Sequence, residues 1–84
     1  MARILEVRFE QAAQSATRDR FSVPKAVVEI LGIDQTSDLL IEVVSHKGSS
    51  SKVTRLRSGF EIYRDFEGHF EPGELLTIRV ARLN

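Results

Sequence analysis

Short segments in which apolar and polar side chains alternate most constrain how this 84-residue chain can fold. Alternation with a period of two residues is typical of strands that bury one face. It marks 3–9 and 75–83, and it recurs in 38–44, the most apolar run. Turn-forming residues separate these segments. The pattern predicts a mostly β fold of about six strands.

Three predicted strands have an expected core face. These faces are formed by Leu5, Val7 and Phe9; by Thr54 and Leu56; and by Leu76, Ile78 and Val80. The strand over 38–44 has Leu39, Ile41 and Val43 on one face and Leu40, Glu42 and Val44 on the other, and we expect it to be covered in part on both sides. The other predicted elements are a loop or arm over 11–17, a flexible turn over 47–51, strands over 52–57 and 60–63, and a type II turn over 71–74.

One segment follows helical spacing instead. Pro24 suits the first turn of a helix, where its missing N–H costs nothing. Gly32 suits the left-handed position that ends a helix. We therefore predict one short helix near 24–31. The residues expected to pack inward from it are Val27, Ile30 and Leu31.

The expected architecture is a single domain over 1–84, built as a small closed or partly open barrel (a pseudobarrel). A length of 84 residues allows one domain. We expect a barrel because closing a sheet removes its exposed edges. The chain has no cysteine, so neither a disulfide nor a thiolate zinc site is expected. No apolar run approaches the ~20 residues of a membrane span, and the first ten residues mix charge too early for a signal peptide. We therefore expect a soluble cytoplasmic protein without a membrane partner.

The charges are balanced in number but segregated along the chain. Twelve Lys and Arg face twelve Asp and Glu, yet no acidic residue lies between Glu42 and Glu61. We call 11–28 the first cationic stretch, 43–60 the second cationic stretch and 61–74 the acidic stretch. Screening confines each field to about 8–10 Å in physiological salt, so a neutral chain can still present a positive surface. The alternative is that these stretches are ordinary solvated surface.

The segment 20–33, read Arg-Phe-Ser-Val-Pro-Lys-Ala-Val-Val-Glu-Ile-Leu-Gly-Ile, resembles a known unit. It is similar to the strand, Pro, short helix and Leu-Gly of the AbrB and SpoVT transition-state regulators. With the following strand, the resemblance extends over Arg20–Val44. Those regulators form a barrel from two interleaved chains, so the resemblance implies DNA binding and admits a homodimer. The longer connections here would instead let one chain close its own barrel.

The C-terminal half has a second resemblance, over Ser58–Val80. The runs Ser-Gly-Phe-Glu-Ile-Tyr and Glu-Pro-Gly-Glu-Leu-Leu resemble the closing half of the DNA-binding pseudobarrel. That fold occurs in plant auxin-response-type factors and in effector domains of some restriction enzymes. The family grips the major groove with two arms, which would be Gln11–Arg20 and Lys47–Arg57 here. These arms coincide with the two cationic stretches.

The expected partner is therefore double-stranded DNA, bound by a transcriptional regulator or a DNA-recognition module. Lys and Arg neutralise phosphates, Arg and Gln read base edges by two-point contacts, and Ser and Thr hydroxyls bind phosphate oxygens. The candidate DNA-binding residues are Gln11, Gln14, Thr17, Arg18, Arg20 and Lys25 in the first region, and Lys47, Ser49, Ser50, Lys52, Arg55 and Arg57 in the second. Four other arginines are expected to form structural ion pairs: Arg3, Arg64, Arg79 and Arg82.

A different class of function stays open, a protein-interaction barrel that resembles an antitoxin or an assembly partner. It would use the acidic stretch or a strand edge. A small-ligand barrel is a third reading, for which the core offers little volume. The row Asp65, Glu67, His69 and Glu71 is a poor metal site, because four ligands in one flat row rarely converge on an ion. No serine has a recognisable activating partner. We expect a non-enzyme that needs no cofactor and no metal.

Overall fold

The computed structural model describes residues 5–13 and 20–83. These residues form six strands, one α-helix and a 3₁₀ turn. In chain order the elements are β1 (Glu6–Ala12), β2 (Arg20–Ser22), α1 (Lys25–Leu31), β3 (Leu39–Ser45), β4 (Gly48–Thr54), the 3₁₀ turn (Ser58–Phe60), β5 (Glu61–Tyr63) and β6 (Leu75–Arg82). The prediction of a mostly β fold with one short helix near 24–31 is confirmed.

The described strands pair in two antiparallel sheets. A four-stranded sheet has the order β1-β6-β3-β4, and β2 pairs with β5 in a second, two-stranded sheet. Val80 in β6 lies opposite Val7 on one side and opposite Ile41 on the other, which aligns the apolar faces of three strands. No pairing between the described strands joins the two sheets into a closed barrel.

One face of the four-stranded sheet carries the core. Leu76, Ile78 and Val80 of β6 are buried, as predicted. Leu39, Ile41 and Val43 of β3 are buried with them. They form one cluster with residues of α1, β2 and β5, so those elements cover this inner face. The outer face holds the alternate residues, such as Arg79 and Glu42, which lie directly opposite each other. The described residues of this face range from half-buried, as at Glu42 and Arg79, to exposed, as at Arg8 and Val53.

The segment 64–70 closes the core with aromatic side chains. Phe66 and Phe70 are buried. Their rings lie 6.2 and 6.1 Å from the ring of Phe21 in β2. Aromatic pairs at this separation contribute more than their buried area alone. Phe21 therefore links the β2–β5 sheet to the aromatic segment.

The ends of α1 are the ones that the sequence predicts. Pro24 precedes the helix, and Gly32 has a left-handed backbone with φ of 62°. The N–H of Gly32 donates to the Glu29 carbonyl, and that of Ile33 donates to the Val28 carbonyl. These two bonds satisfy carbonyls that a helix end leaves without partners. Ile33 folds back and is buried at 6% exposure.

The predicted buried face of α1 is wrong at one position. Ile30 is 53% exposed, whereas Val27, Val28 and Leu31 are buried. At 3.6 residues per turn, positions 27, 28 and 31 lie within about 100° of one another, and position 30 lies outside that arc. Spacing alone did not distinguish the two faces, because both contain apolar residues.

Neighbouring positions in α1 provide a matched test of this orientation. We expect Leu31→Ala to lower the free energy of unfolding by about 2–5 kcal/mol, because it leaves a cavity in the core. Ile30→Ala should change it by less than about 0.5 kcal/mol, because the side chain is largely solvated. Urea denaturation of both variants measures the difference. Equal losses would contradict the orientation of the helix.

Some predicted boundaries shift. Ser49, Ser50 and Ser51 lie in β4 and not in a flexible turn, because cross-strand pairing with β3 overrides the low strand propensity of serine. The connection is a tight turn at His46 and Lys47. Gln11 continues β1 and does not begin a loop. Leu5 is 51% exposed and precedes β1, so it lies outside the core.

Two predictions for the C-terminal half agree with the structure. Leu56 is buried and Thr54 half-buried, as expected, although the strand ends at Thr54. The predicted turn over 71–74 is present, with the Glu74 N–H donating to the Glu71 carbonyl and Gly73 at φ of 75°. No helix among the described residues is long and apolar enough to cross a membrane.

Candidate nucleic-acid interface

The small β2–β5 sheet brings the two cationic stretches together. Arg20, at the start of β2, lies opposite Tyr63 of β5. Arg57 forms an isolated bridge to Glu61, the first residue of β5, and its N–H donates to the Glu61 carbonyl at 2.8 Å. One short strand thus has an arginine of the first cationic stretch on one side and an arginine of the second on the other.

These residues line a cleft of about 500 Å³. The described residues that line it are Arg20, Arg57, Ser58, Glu61 and Arg64. We call it the arginine cleft. The described residues of this lining carry three guanidinium groups and one carboxylate. Guanidinium groups present planar arrays of N–H donors that match phosphate and carboxylate oxygens.

The arginine cleft has a recessed part and an exposed part. The side chains of Arg20 and Glu61 are only 26% and 23% exposed, and a guanidinium nitrogen of Arg20 lies 3.9 Å from a carboxylate oxygen of Glu61. Arg57, Ser58 and Arg64 are exposed. The pair Arg20 and Glu61 therefore lies deeper in the cleft than Arg57 and Arg64.

The backbone that shapes the cleft is strained. Phe60 and Arg64 have positive φ of 57° and 70°, and Gly59 between the arginines has φ of 75°. Each left-handed residue other than glycine costs about 1–3 kcal/mol. Hydrogen bonds hold the turn, from the Phe60 N–H to the Arg57 carbonyl and from the Val23 N–H to the Phe60 carbonyl. Strain of this kind is concentrated at functional sites more than elsewhere.

The remaining candidate residues of the second cationic stretch are divided. Lys52 is exposed in β4, an edge strand among the described ones. The Lys47 ammonium donates to the Gly68 carbonyl at 2.7 Å, and the Arg55 guanidinium donates to Asp38 at 2.8 Å. Ser49 donates to Glu42 on the outer face, whereas Ser50 is half-buried on the inner face. Of these contacts, the Arg55–Asp38 ion pair neutralises part of the positive charge that the sequence suggested.

The candidates of the first cationic stretch are also divided. Gln11 lies opposite buried Leu76, so it is on the inner face, half-buried, and is poorly placed for reading bases. Lys25 is exposed at the start of α1. Three candidates lie outside the described residues: Gln14, Thr17 and Arg18.

Residues of the acidic stretch form hydrogen bonds with the β3–β4 hairpin. Asp65 accepts a hydrogen bond from Thr54 at 3.0 Å, and Glu74 lies 2.7 Å from the His46 ring. Ser45 donates its hydroxyl to the His69 carbonyl. These contacts fasten the β3–β4 hairpin to the acidic stretch.

Glu74 holds the tip of that hairpin and makes it sensitive to acid. The Glu71 N–H, the His46 N–H and the His46 ring lower the pKa of Glu74 below its ordinary value of 4.5. A lowered carboxyl pKa stabilises the folded chain above the unfolded value, and this stabilisation is lost as the pH falls through the folded value.

We therefore expect Glu74→Gln to lower the melting temperature at neutral pH, because the amide loses the carboxylate charge and one acceptor. The difference from the natural chain should narrow as the pH falls from 4.5 through the lowered pKa of the folded state, below which the natural Glu74 is neutral as well. Thermal melts from neutral to acidic pH measure this difference. A difference that stays constant across that range would contradict the role of the carboxylate.

Four arginines were predicted to form structural ion pairs, and the structure places them differently. Arg79 confirms the prediction, because it lies 3.4 Å from both Glu6 and Glu42. Arg82 instead donates to the Leu31 carbonyl at the end of α1, at 2.6 Å. Arg64 lines the arginine cleft, and Arg3 lies outside the described residues.

Sequence reasoning missed Ser58, Glu61 and Arg64 as members of the site. These residues reach the cleft because β5 pairs with β2, a strand about forty residues earlier in the chain. No local sequence pattern indicates such a distant pairing. The break at Ser58 and Gly59 predicted an interruption of the strand, but not its left-handed turn. Within the described ranges, no group of three or more His, Asp and Glu side chains is arranged to hold a metal ion.

Comparison with protein-family models, with curated proteins and with solved structures finds no match to this chain.

Proposed function

We propose that this chain is a double-stranded DNA-binding domain whose arginine cleft receives the phosphate backbone. The observation that carries the proposal is the meeting of Arg20 and Arg57 in one cleft. These residues come from two cationic stretches that the sequence singled out separately, by charge alone. Such a domain would act as a transcriptional regulator or as a DNA-recognition module.

The chemistry of the cleft supports phosphate binding. Charge-assisted hydrogen bonds from guanidinium groups to phosphate are short and about twice as strong as neutral ones. Arg57 and Arg64 are exposed and lie on the same cleft, so one backbone can contact both. Each contact releases counterions condensed on the duplex, which is the main source of affinity.

The edge strand β4 extends the proposed contact surface. Lys52 is exposed there, and the chain leads directly from β4 through Arg55 to Arg57. The proposal includes the fold that the family resemblance implies, a partly open pseudobarrel. Its support is the single core that the four-stranded sheet shares with the β2–β5 sheet.

The salt dependence of duplex affinity tests the proposal. With about three phosphates contacted, log K should fall with log salt at a slope of roughly −2.7, or about 40-fold between ~50 and ~200 mM salt. Fluorescence anisotropy with a pool of short mixed-sequence duplexes measures this slope. Absence of binding at low salt, or affinity that does not change with salt, would contradict the proposal.

A further inference from the structure

We infer that the free edge of β4 pairs with β4 of a second copy of this chain, antiparallel and centred on Ser51. The product is a two-fold symmetric dimer in which two four-stranded sheets join into one continuous sheet. Each chain keeps its own core, unlike the interleaved barrel of the AbrB and SpoVT regulators. The pairing is independent of the proposed function, because it uses backbone groups of β4 and not the arginine cleft. It leaves the side chain of Lys52 accessible to DNA.

β4 is an edge strand, and its second side pairs with no described strand. It runs for seven residues, Gly48–Thr54, and among the described strands it pairs with β3 alone. An edge strand presents a row of unpaired backbone N–H and C=O groups that another strand can bind. Only Ser50 and Thr54 of these residues are half-buried, and the others are exposed. Most of the length of β4 is therefore accessible to another strand.

The opposite edge of the same sheet is protected, whereas β4 is not. β1 carries Glu6, Arg8 and Glu10 at exposed positions. Charged side chains on an edge strand oppose pairing with another chain. Lys52 is the single charged residue in β4, which otherwise consists of glycine, serine, valine and threonine. This strand offers little to a partner of opposite charge, but it can pair with its own copy.

The length and the charge of β4 select the register. All seven residues of each strand have an opposite residue only when Ser51 lies opposite Ser51 of the second copy. In this register Lys52 lies opposite Ser50, which is small and uncharged. A shift of two residues would place the two Lys52 side chains opposite each other, and like charges in that position destabilise a strand pair. Lys52 therefore disfavours the neighbouring register and permits the centred one.

The same register covers exposed apolar side chains on the outer face. Val53 is 64% exposed and lies opposite half-buried Leu40, and Val44 of β3 is 40% exposed. Val53 would lie opposite Ser49 of the second copy, which is itself paired with Val44. Each valine pair thus flanks one small serine in an apolar row across the joined sheets. Removing part of this apolar area from water favours the pairing.

Single cysteines introduced into the full chain test the pairing, because the natural sequence has none. In Ser51→Cys the two thiols lie on directly opposite residues, whose Cα atoms are about 4.5–5.5 Å apart and within reach of a disulfide. Ser49→Cys is the matched control, since Ser49 is also an exposed serine of the outer face. Its two copies would lie roughly 13 Å apart along the strands, too far for a disulfide.

Under mild oxidation, non-reducing gels should show the Ser51→Cys dimer forming at least about tenfold faster than the Ser49→Cys dimer, because only the first pair lies within bridging distance. Sedimentation velocity of the natural chain should show a weak monomer–dimer equilibrium, since pairing along one edge buries a small interface. Equal rates for the two cysteine variants would overturn the inference. A natural chain that stays monomeric at every concentration would overturn it as well. Both exposed serines tolerate the near-isosteric change, and far-ultraviolet circular dichroism verifies the fold of each variant.

Discussion

Replacing Arg57 with alanine is expected to lower duplex affinity by about tenfold or more at low salt, since a hydrogen bond to a charged group contributes about 1.5–3 kcal/mol. The salt slope should become shallower by about one unit, because one phosphate contact is lost. The melting temperature should not change, because Arg57 is exposed and its side chain forms no ion pair with a described residue. Its backbone hydrogen bond with Glu61 survives the substitution.

Arg8→Ala is the matched control for Arg57→Ala. Arg8 is also an exposed arginine, but it lies on the outer face of the four-stranded sheet, opposite Arg79. Its loss should leave duplex affinity within about twofold, since it removes only a distant charge. Anisotropy titrations at two salt concentrations measure both variants. Equal losses from Arg8→Ala and Arg57→Ala would show that binding depends on total charge and not on the cleft.

Phe21→Ala should be the most destabilising of the substitutions considered, with a loss of about 3–5 kcal/mol in the free energy of unfolding. Phe21 is fully buried and contacts both Phe66 and Phe70. A chain of 84 residues has a total stability of roughly 4–13 kcal/mol, so this loss would unfold much of the population. The cause is a cavity at the point where the β2–β5 sheet meets the aromatic segment.

Phe9→Ala provides the same chemical change at a half-buried position of β1. Its cost should be clearly smaller, because less apolar area leaves water when Phe9 folds. Urea denaturation monitored by far-ultraviolet circular dichroism measures both variants. A loss of less than about 1 kcal/mol from Phe21→Ala would contradict the packing of the β2–β5 sheet against the core.

Within the large sheet, β6 was predictable because it has one buried face and one more exposed face. In β6 the buried residues alternate strictly with Thr77 and Arg79, so the period of two is unambiguous. The helix ends were also predictable, because Pro24 and Gly32 act locally. These features need no information from distant parts of the chain.

The predictions failed where contacts between distant parts of the chain determine the structure. The serines of β4 have weak strand propensity and join the sheet because β3 pairs with them. Ile30 is as apolar as its neighbours, so only the packing of α1 shows that it faces solvent. Charge counting placed Arg20 and Arg57 among the candidates, but it could not show that Arg55 pairs with Asp38. The same limit applies to Arg64, which reaches the cleft through the β2–β5 pairing.

Mapping of amide NMR shifts on adding a short mixed-sequence duplex tests the central claim most directly, because it reports where DNA binds. At low salt, the account predicts the largest shifts at Arg20, in 57–64 and along β4, with little change at Arg8 and Thr77 on the outer face. These shifts should diminish as salt is raised, since phosphate contacts carry the affinity. Shifts concentrated on the outer face, or no shifts at any salt concentration, would contradict the claim that the arginine cleft binds DNA.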